Sequence, residues 1–425
     1  MDPAPLTGVK ARLADEVDAR RDLLLDVSHQ VHARPELNYH EHFAHELLTG
    51  VIEGEGLAVE RAAGGIATAF RAEAGTGGPL VAVMCEYDAL PGLGHACGHN
   101  VIAAAGLGAG LAAARLADEL GGRVLIVGSP AEEGGGGKIK LLEAGMLDGI
   151  DAALMLHPAD AELASMDVIA VQEVDVTYTG RAAHAAAFPQ QGRNALDAAV
   201  LGYTAVAALR QHIDDGERIH GVITDGGDKP NIVPARAASR WMVRSPTLAG
   251  LVALKARFEA CLQGGADAAG CTMEVGWHDV TYADMVDNRA IGLRYAANAA
   301  ALGRTVREPA PGARVVGSTD MGNVSYRAPS IHPMIKVAPE GVSIHTPDFA
   351  RYAGGPEGDA AVIDGAKALA FTVADLWQEG GLLDVAKAEW QAEVAVRGGW
   401  PVAWRTAPLK HPHPQRGVLL RSTAL

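Results

Sequence analysis

The segment "CEYDALPGLGHACGHN", residues 85–100, gathers two cysteines, two histidines, a glutamate and an aspartate. On its own it could be a thiol site, a metal site or the crowded end of a buried strand. Cys97 and His99 are a weak metal signal, because a Cys and a His two residues apart arise often by chance. More distant residues strengthen it: Glu132 and Glu133 in "SPAEEGGGG", His157 in "LMLHP" and His345 in "SIHTPDF". Thiolate, imidazole and carboxylate together suit zinc, while imidazole with carboxylate also suits manganese or cobalt. There are enough donors for two ions, and two ions about 3.5–4 Å apart can clamp the attacking and departing oxygens of a hydrolysis.

Adjacent glutamates add a catalytic element. Neighbouring side chains point in different directions, so one carboxylate can bind metal while the other takes a proton from water and later returns it to a leaving amine. Asp88, close to Cys97 in sequence, suits the orientation of a ligand imidazole. The glycines after Glu133 let substrate approach the backbone. Other candidates read as structural. Cys85, Cys261 and Cys271 look like small buried hydrophobes, and His29, His32, His40, His42 and His45 look like surface residues. His212, His220 and His278 have no clustered partners, and His95 stays unassigned.

The elements that must position these residues follow from apolar patterning. "PLVAVMCEYDA", "GRVLIVGSP" and "DAALMLHP" read as buried strands, separated by the long helix "CGHNVIAAAGLGAGLAAARLADEL" and the short helix "GKIKLLEAGML". This is the pattern of a mostly parallel sheet with helices on both faces, in which ligands sit beyond the carboxyl ends of the strands. The chemistry-bearing residues follow those strands. An amphipathic helix is expected from about Val9 into the thirties.

From about residue 168 the order becomes β-α-β-β-α-β, a ferredoxin-like unit. A helix near 284–303, a strand at "SIHPMIKV" and a helix near 356–379 then return to the first pattern. The expected division is a catalytic metal-binding part over 1–167, an inserted ferredoxin-like dimerisation or lid domain over 168–283, a second catalytic part over 284–395 and a C-terminal arm over 396–425.

Composition narrows the classes. The chain has 425 residues, 48% hydrophobic and 20% charged, the profile of a globular protein of two domains. A formal net charge of −15 without a basic run argues against nucleic acid. No run reaches the roughly 18 uninterrupted apolar residues of a membrane helix, so no membrane partner is expected. The N-terminus lacks secretory features, and four irregularly spaced cysteines form no disulfide framework. A cytoplasmic setting is the expectation.

Six segments, "EYDALPGLGHACGHN", "SPAEEGGGGKI", "GRAAHAAAFPQQGRNALDA", "NIVP", "GSTDMGNVS" and "SIHT", resemble the amidohydrolase branch of the aminoacylase/carboxypeptidase metallopeptidases, in the right order from about residue 20 to 380. The resemblance implies a homodimer acting on a small-molecule amide, an N-acyl amino acid or dipeptide-like compound, with two divalent ions (Zn or Mn) per subunit. It implies that Cys97, His99, Glu133, His157 and His345 hold the ions, with Cys97 near the bridging position. Glu132 matches the general acid/base and Asp88 the aspartate of the first motif. His184 matches a histidine of the inserted domain that reaches the partner subunit's site and stabilises the oxyanion. Asn231 and Arg244 match substrate-binding residues. Asn100 stands where most of the branch has Asp, which tilts the likeness toward p-aminobenzoyl-glutamate hydrolases and β-alanyl-lysine dipeptidases and away from auxin-conjugate hydrolases. Two rival readings remain: a cysteine hydrolase using Cys97 with His99, and a non-catalytic metal- or ligand-binding homologue. The first leaves Glu132, Glu133, His157 and His345 without a role.

Overall fold

The computed structural model describes residues 6–309 and 316–399. Its first part carries strands β1 (Glu60–Arg61), β2 (Phe70–Ala74), β3 (Leu80–Glu86), β4 (Arg123–Ser129), β5 (Ala152–Leu154), β6 (His157–Ala159) and β7 (Asp167–Val168). Its helices are α1 (Gly8–Asp18), α2 (Arg21–Ala33), α3 (His42–Gly54), α4 (His99–Leu120) and α5 (Gly137–Glu143). The middle part holds β8 (Ala170–Thr179), α6 (Ala195–Leu209), β9 (Arg218–Asp225), β10 (Arg236–Ser245), α7 (Leu248–Ala269) and β11 (Thr272–Tyr282). The chain returns through α8 (Arg289–Ala300), β12 (Val316–Gly317), α9 (Met321–Ser325), β13 (Ser330–Ile331), β14 (Met334–Lys336), α10 (Pro347–Ala353), α11 (Pro356–Gln378) and α12 (Leu382–Val396).

The main sheet runs β1-β2-β4-β3-β5-β13. Strands β4, β3, β5 and β13 are parallel, and β2 joins β4 antiparallel. All seven residues of β3 are buried. Val81, Val83 and Cys85 enter one apolar cluster with α2, α4 and α11, while Leu80, Ala82 and Met84 enter another on the opposite face. Alternate side chains point to opposite faces, so a strand apolar at every position requires a sheet covered on both sides. Helix α4 is long and apolar enough to cross a bilayer, yet it lies buried in the core. Its Gly106 marks the closest approach to the sheet, because a Cβ there would sit 2.4 Å from the carbonyl oxygen of Met84.

The four-stranded sheet β11-β8-β10-β9 is antiparallel throughout. With α6 and α7 it encloses its own core around Tyr178, Trp241 and Phe258. This is the ferredoxin-like arrangement, inserted between β7 and α8.

Several expectations need correction. The N-terminal helix is two, α1 and α2, separated at Ala19 and Arg20, where Arg20 leaves helical geometry and pairs with Glu16 and Glu55. His45 is only 5% exposed and packs edge-on against Phe70, so it belongs to the interior. Cys261 and Cys271 are part-exposed rather than buried. His278 does have partners, Glu173 at 3.2 Å and Asp175 at 3.1 Å. "SIHPMIKV" is not one strand: Pro333 has no N–H to give, and the segment splits into β13 and β14 around His332. "DAALMLHP" likewise divides into β5 and β6, and β6 pairs with β14 beyond the end of the main sheet. Most of the expected C-terminal arm, from residue 400 onward, lies outside the described residues.

Candidate metal centre

The donors meet at the carboxyl rim of the main sheet. Chain leaving β3 brings Asp88 and Cys97, and α4 begins at His99. Gly98 between them has φ +81°, and a Cβ there would lie 2.8 Å from Pro158, so only glycine fits. The loop after β4 brings Glu132 and Glu133, β6 begins with His157, and His345 precedes α10. Cys97, His99 and His157 offer ligand atoms that all lie within 4.8 Å of one another. Cys97, Glu133 and His345 meet the same limit, as do His99, Glu132 and Glu133. Cys97 thus belongs to two overlapping triads.

Hydrogen bonds orient the donors. His99 Nδ1 lies 3.0 Å from Asp88 Oδ1, and Asp88 Oδ2 accepts from the Glu133 N–H at 2.9 Å. His157 Nδ1 sits 2.7 Å from the Pro158 carbonyl oxygen, and its Nε2 is 3.3 Å from Cys97 Sγ. His345 Nε2 stands 3.4 Å from Glu133 Oε1. His345 has φ +62°, a costly conformation for a non-glycine residue, and its N–H is held by the Ala96 carbonyl at 2.8 Å. Buried and without hydrogen-bond partners are His99 Nε2 and Glu133 Oε1. Such bare atoms are costly, and here they face the other donors.

Electrostatics follow from burial. Burial, with the neighbouring His99, lowers His157 to about 4, which keeps it neutral as a ligand must be. Burial raises the Glu132 carboxyl well above its ordinary value, and Glu86, Asp320 and Glu133 push the same way. For Asp88 burial works against ionisation, but His99 and the N–H groups of Glu133 and Glu132 outweigh it and lower its pKa. Burial pushes the Cys97 thiol up.

The loop carrying both glutamates is pinned through its backbone. Ala131, at φ +61°, donates its N–H to Glu41 Oε1 at 2.9 Å. Tyr282 donates to the Glu132 carbonyl at 2.7 Å, Asn38 to the Glu133 carbonyl at 3.2 Å, and Tyr39 to the Gly135 carbonyl. None of these residues stood out in the sequence. Nor did His332, only 1% exposed, with both ring nitrogens bare and its ring 5.5 Å from that of His157. Its place after an apolar strand is the same cue that marked His157. His95, also buried with both ring nitrogens bare, faces His32 and stays outside the ligand triads. The Asn100 amide donates to Ser28 Oγ and to the Ala353 carbonyl, each at 2.9 Å.

The inserted-domain candidates lie elsewhere in the subunit. His184 and Asn231 are exposed on loops past the Thr179 end of β8, opposite the end linked to the main sheet. Ten strand residues separate those ends, roughly 30 Å. His184 Nδ1 accepts from the Ala187 N–H at 3.1 Å. Arg244 is at the linked end, half-buried, with Ser318 Oγ 3.5 Å from its guanidinium. It lines a cavity of about 830 Å³ that Asp167 and Asp287 share.

The family model described as Peptidase family M20/M25/M40 matches residues 82–373. A mouse protein named Xaa-Arg dipeptidase is 38% identical over 406 residues, covering 92% of this chain and 94% of its own. One component of the p-aminobenzoyl-glutamate hydrolase of Escherichia coli is 34% identical over 281 residues, 61% of this chain and 58% of its own. Among solved structures, an aminobenzoyl-glutamate utilization protein from Klebsiella pneumoniae superposes with TM-score 0.68 at 19% identity, covering 87% of this chain and all of its own. A Bacillus subtilis protein described as a dinuclear metal binding peptidase superposes with TM-score 0.63 at 20% identity, covering 83% and 98%.

Proposed function

The chain belongs to peptidase family M20/M25/M40 and is a metal-dependent hydrolase of amide bonds; on that premise we propose a dipeptidase in which Glu132 moves the proton and the released amino acid is basic. One observation carries the reading: two donor triads share Cys97, and Glu132 joins His99 and Glu133 beside them. The donor set fits divalent ions, since His99 Nε2 and Glu133 Oε1 are buried without a hydrogen bond, with Glu86 Oε2 at 3.6 Å and His345 Nε2 at 3.4 Å beside them. Cys97, His99 and His157 would hold one ion, and Cys97, Glu133 and His345 the other. Thiolate and imidazoles suit zinc, and imidazole with carboxylate suits manganese. When bound, such ions polarise the scissile carbonyl and make a nearby water more acidic.

The chain's own groups do the rest. Asp88 holds the His99 ring by Nδ1 and turns Nε2 toward the centre. Glu132 takes a proton from the attacking water and delivers it to the amide nitrogen as the C–N bond breaks, so acid and amine leave in balance. Its place with His99 and Glu133 lets one carboxyl group serve both halves of that transfer. His184, with Nδ1 occupied as an acceptor, carries its proton on Nε2 and can donate to the oxyanion. Its distance from the metal rim is consistent with service to a partner subunit, alongside Asn231. A homodimer is supported by exposed apolar residues on α6 and the edge strand β9, notably Val200, Leu201, Val222 and Ile223.

Arg244 suits a substrate carboxylate, and the cavity it lines carries acidic groups (Asp167, Asp287) and further basic ones (Arg218, Arg397). The basic amino acid is proposed from the name of the mouse relative. A reducing cytoplasm accords with four free cysteines and a ligand thiolate. The thiol-nucleophile reading leaves Glu132, Glu133, His157 and His345 without a role, whereas the metal reading uses Cys97 together with all four. The non-catalytic reading would need Glu132 or a donor to be lost, and none is.

The test is Glu132→Ala, assayed on Xaa-Arg and Xaa-Lys dipeptides and on N-acyl amino acids. Turnover should drop by about 10²-fold or more, with the metal content of the wild type kept. Wild-type turnover in the variant would sink the mechanism. A preference for N-acyl neutral amino acids in the parent enzyme would sink the substrate assignment alone.

A further inference from the structure

Behind the donor triads lies a second cluster that the reaction as described does not use. Lys138, at the start of α5, is completely buried. Its ammonium pairs with Glu86, the last residue of β3, and lies 2.8 Å from Asp320 Oδ1. Asp320 Oδ2 also accepts the backbone N–H of Lys138 at 2.8 Å. Both carboxylates are buried. Glu86, Asp320 and Glu132 place carboxylate oxygens within 4.8 Å of one another. Three acidic groups so close in a dry interior repel, and Lys138 is the cation set among them. Burial disfavours its charge, but Asp320 and Glu86 outweigh that and hold it protonated, with Glu132 adding to the effect. A buried ammonium bound to one strand end and one distant loop, six residues after Glu132, is expensive as a mere structural tie.

We propose that Lys138 is a positioning residue for hydrolysis: fixed by Glu86 and Asp320, its ammonium supplies the countercharge that anchors the Glu132 carboxylate in place beside the donor triads. The inference rests on Glu132 as the proton carrier. Among the described residues no contact joins Lys138 to Cys97, His99, Glu133, His157 or His345, but its partner Glu86 stands 3.6 Å from His99 Nε2, so metal content is read beside kcat to separate an effect on Glu132 from one on the ligand. The effect belongs in kcat, not in KM or in metal content.

The experiment compares the full-length metal-loaded enzyme with Lys138→Met and Lys138→Arg. Each variant is measured for kcat, KM, metal content and thermal midpoint. Lys138→Met should lower kcat by about 10²-fold, within the range that general acid–base catalysis contributes, with KM and metal content unchanged. Lys138→Arg, which keeps the charge, should recover at least a tenth of the wild-type kcat. Wild-type kcat in Lys138→Met overturns the proposal, as does joint loss of metal and kcat, or an Arg variant as slow as the Met variant. If Lys138→Met does not fold, the charge-balanced Lys138→Met/Glu86→Gln takes its place under the same expectations. Failure of that protein to fold assigns the lysine to folding and overturns the proposal. An inactive Glu132→Ala beside an active Lys138→Met removes this inference only, whereas an active Glu132→Ala removes the mechanism itself.

Discussion

Asp88 is buried and bridges two parts of the site, holding His99 Nδ1 with one oxygen and the Glu133 N–H with the other. Replacing it by Asn keeps the shape but removes the charge that fixes the imidazole. The expected result is metal affinity lower by roughly 10- to 100-fold, read by competition with a chelator indicator; unchanged affinity would show that Asp88 does not orient His99. At this scale the sequence was legible where residue type and strand end coincided. Cys97, His99, Glu133, His157 and His345 could be singled out because a parallel sheet delivers the residues beyond its strand ends to one rim. Lys138 could not, since in "GGGGKIK" it reads as the solvated face of a short helix. Burial of that ammonium depends on Asp320, 182 residues away, and no local pattern carries such information. His332 did carry the strand-end cue, but it lay in a run read as one continuous strand, "SIHPMIKV", which the structure divides into β13 and β14.

The element that matters most is the loop between β4 and α5, held by α3's leading segment and by the end of β11. Glu41 is fully buried and takes N–H donors from Tyr39 and Ala131 and the hydroxyl of Thr68. Burial raises its carboxyl from 4.5 to about 7. Between those values the folded protein keeps a proton that the unfolded chain has lost. This contribution to stability is therefore fully present below 4.5 and disappears as pH rises through 7. Urea unfolding of wild type and Glu41→Gln at pH 5 and pH 8 should show wild type losing ground to the variant, on the order of 3 kcal/mol. A difference that does not vary with pH would contradict the assignment. The alternation of strands and helices was readable from apolar runs, and so was the β-α-β-β-α-β order of the insertion. The β13/β14 split did have a local signal in Pro333, whereas the β5/β6 break and the one at Arg20 accompany contacts with distant residues, the β14 pairing and Glu55.

For the whole molecule, the two halves of the proposed chemistry sit at opposite ends of the inserted sheet, with Arg244 near the main sheet and His184 and Asn231 far from it. On the proposed dimer, one subunit would hold the metals while another supplies the oxyanion donor. Val222, 61% exposed on the edge strand β9, offers the lever: Val222→Asp should shift the protein to monomer in sedimentation. Turnover should fall with it by about 10²–10³-fold, the usual effect of losing an oxyanion donor, while bound metal stays. A monomer with full turnover would remove the cross-subunit role of His184. If hydrolysis needs two ions held by the Cys97, His99, Glu133, His157 and His345 set, metal titration of stripped protein will reveal it. Activity should vanish on chelation and return in step with zinc or manganese up to two ions per subunit. Hydrolysis that persists in protein shown by elemental analysis to be metal-free would contradict it.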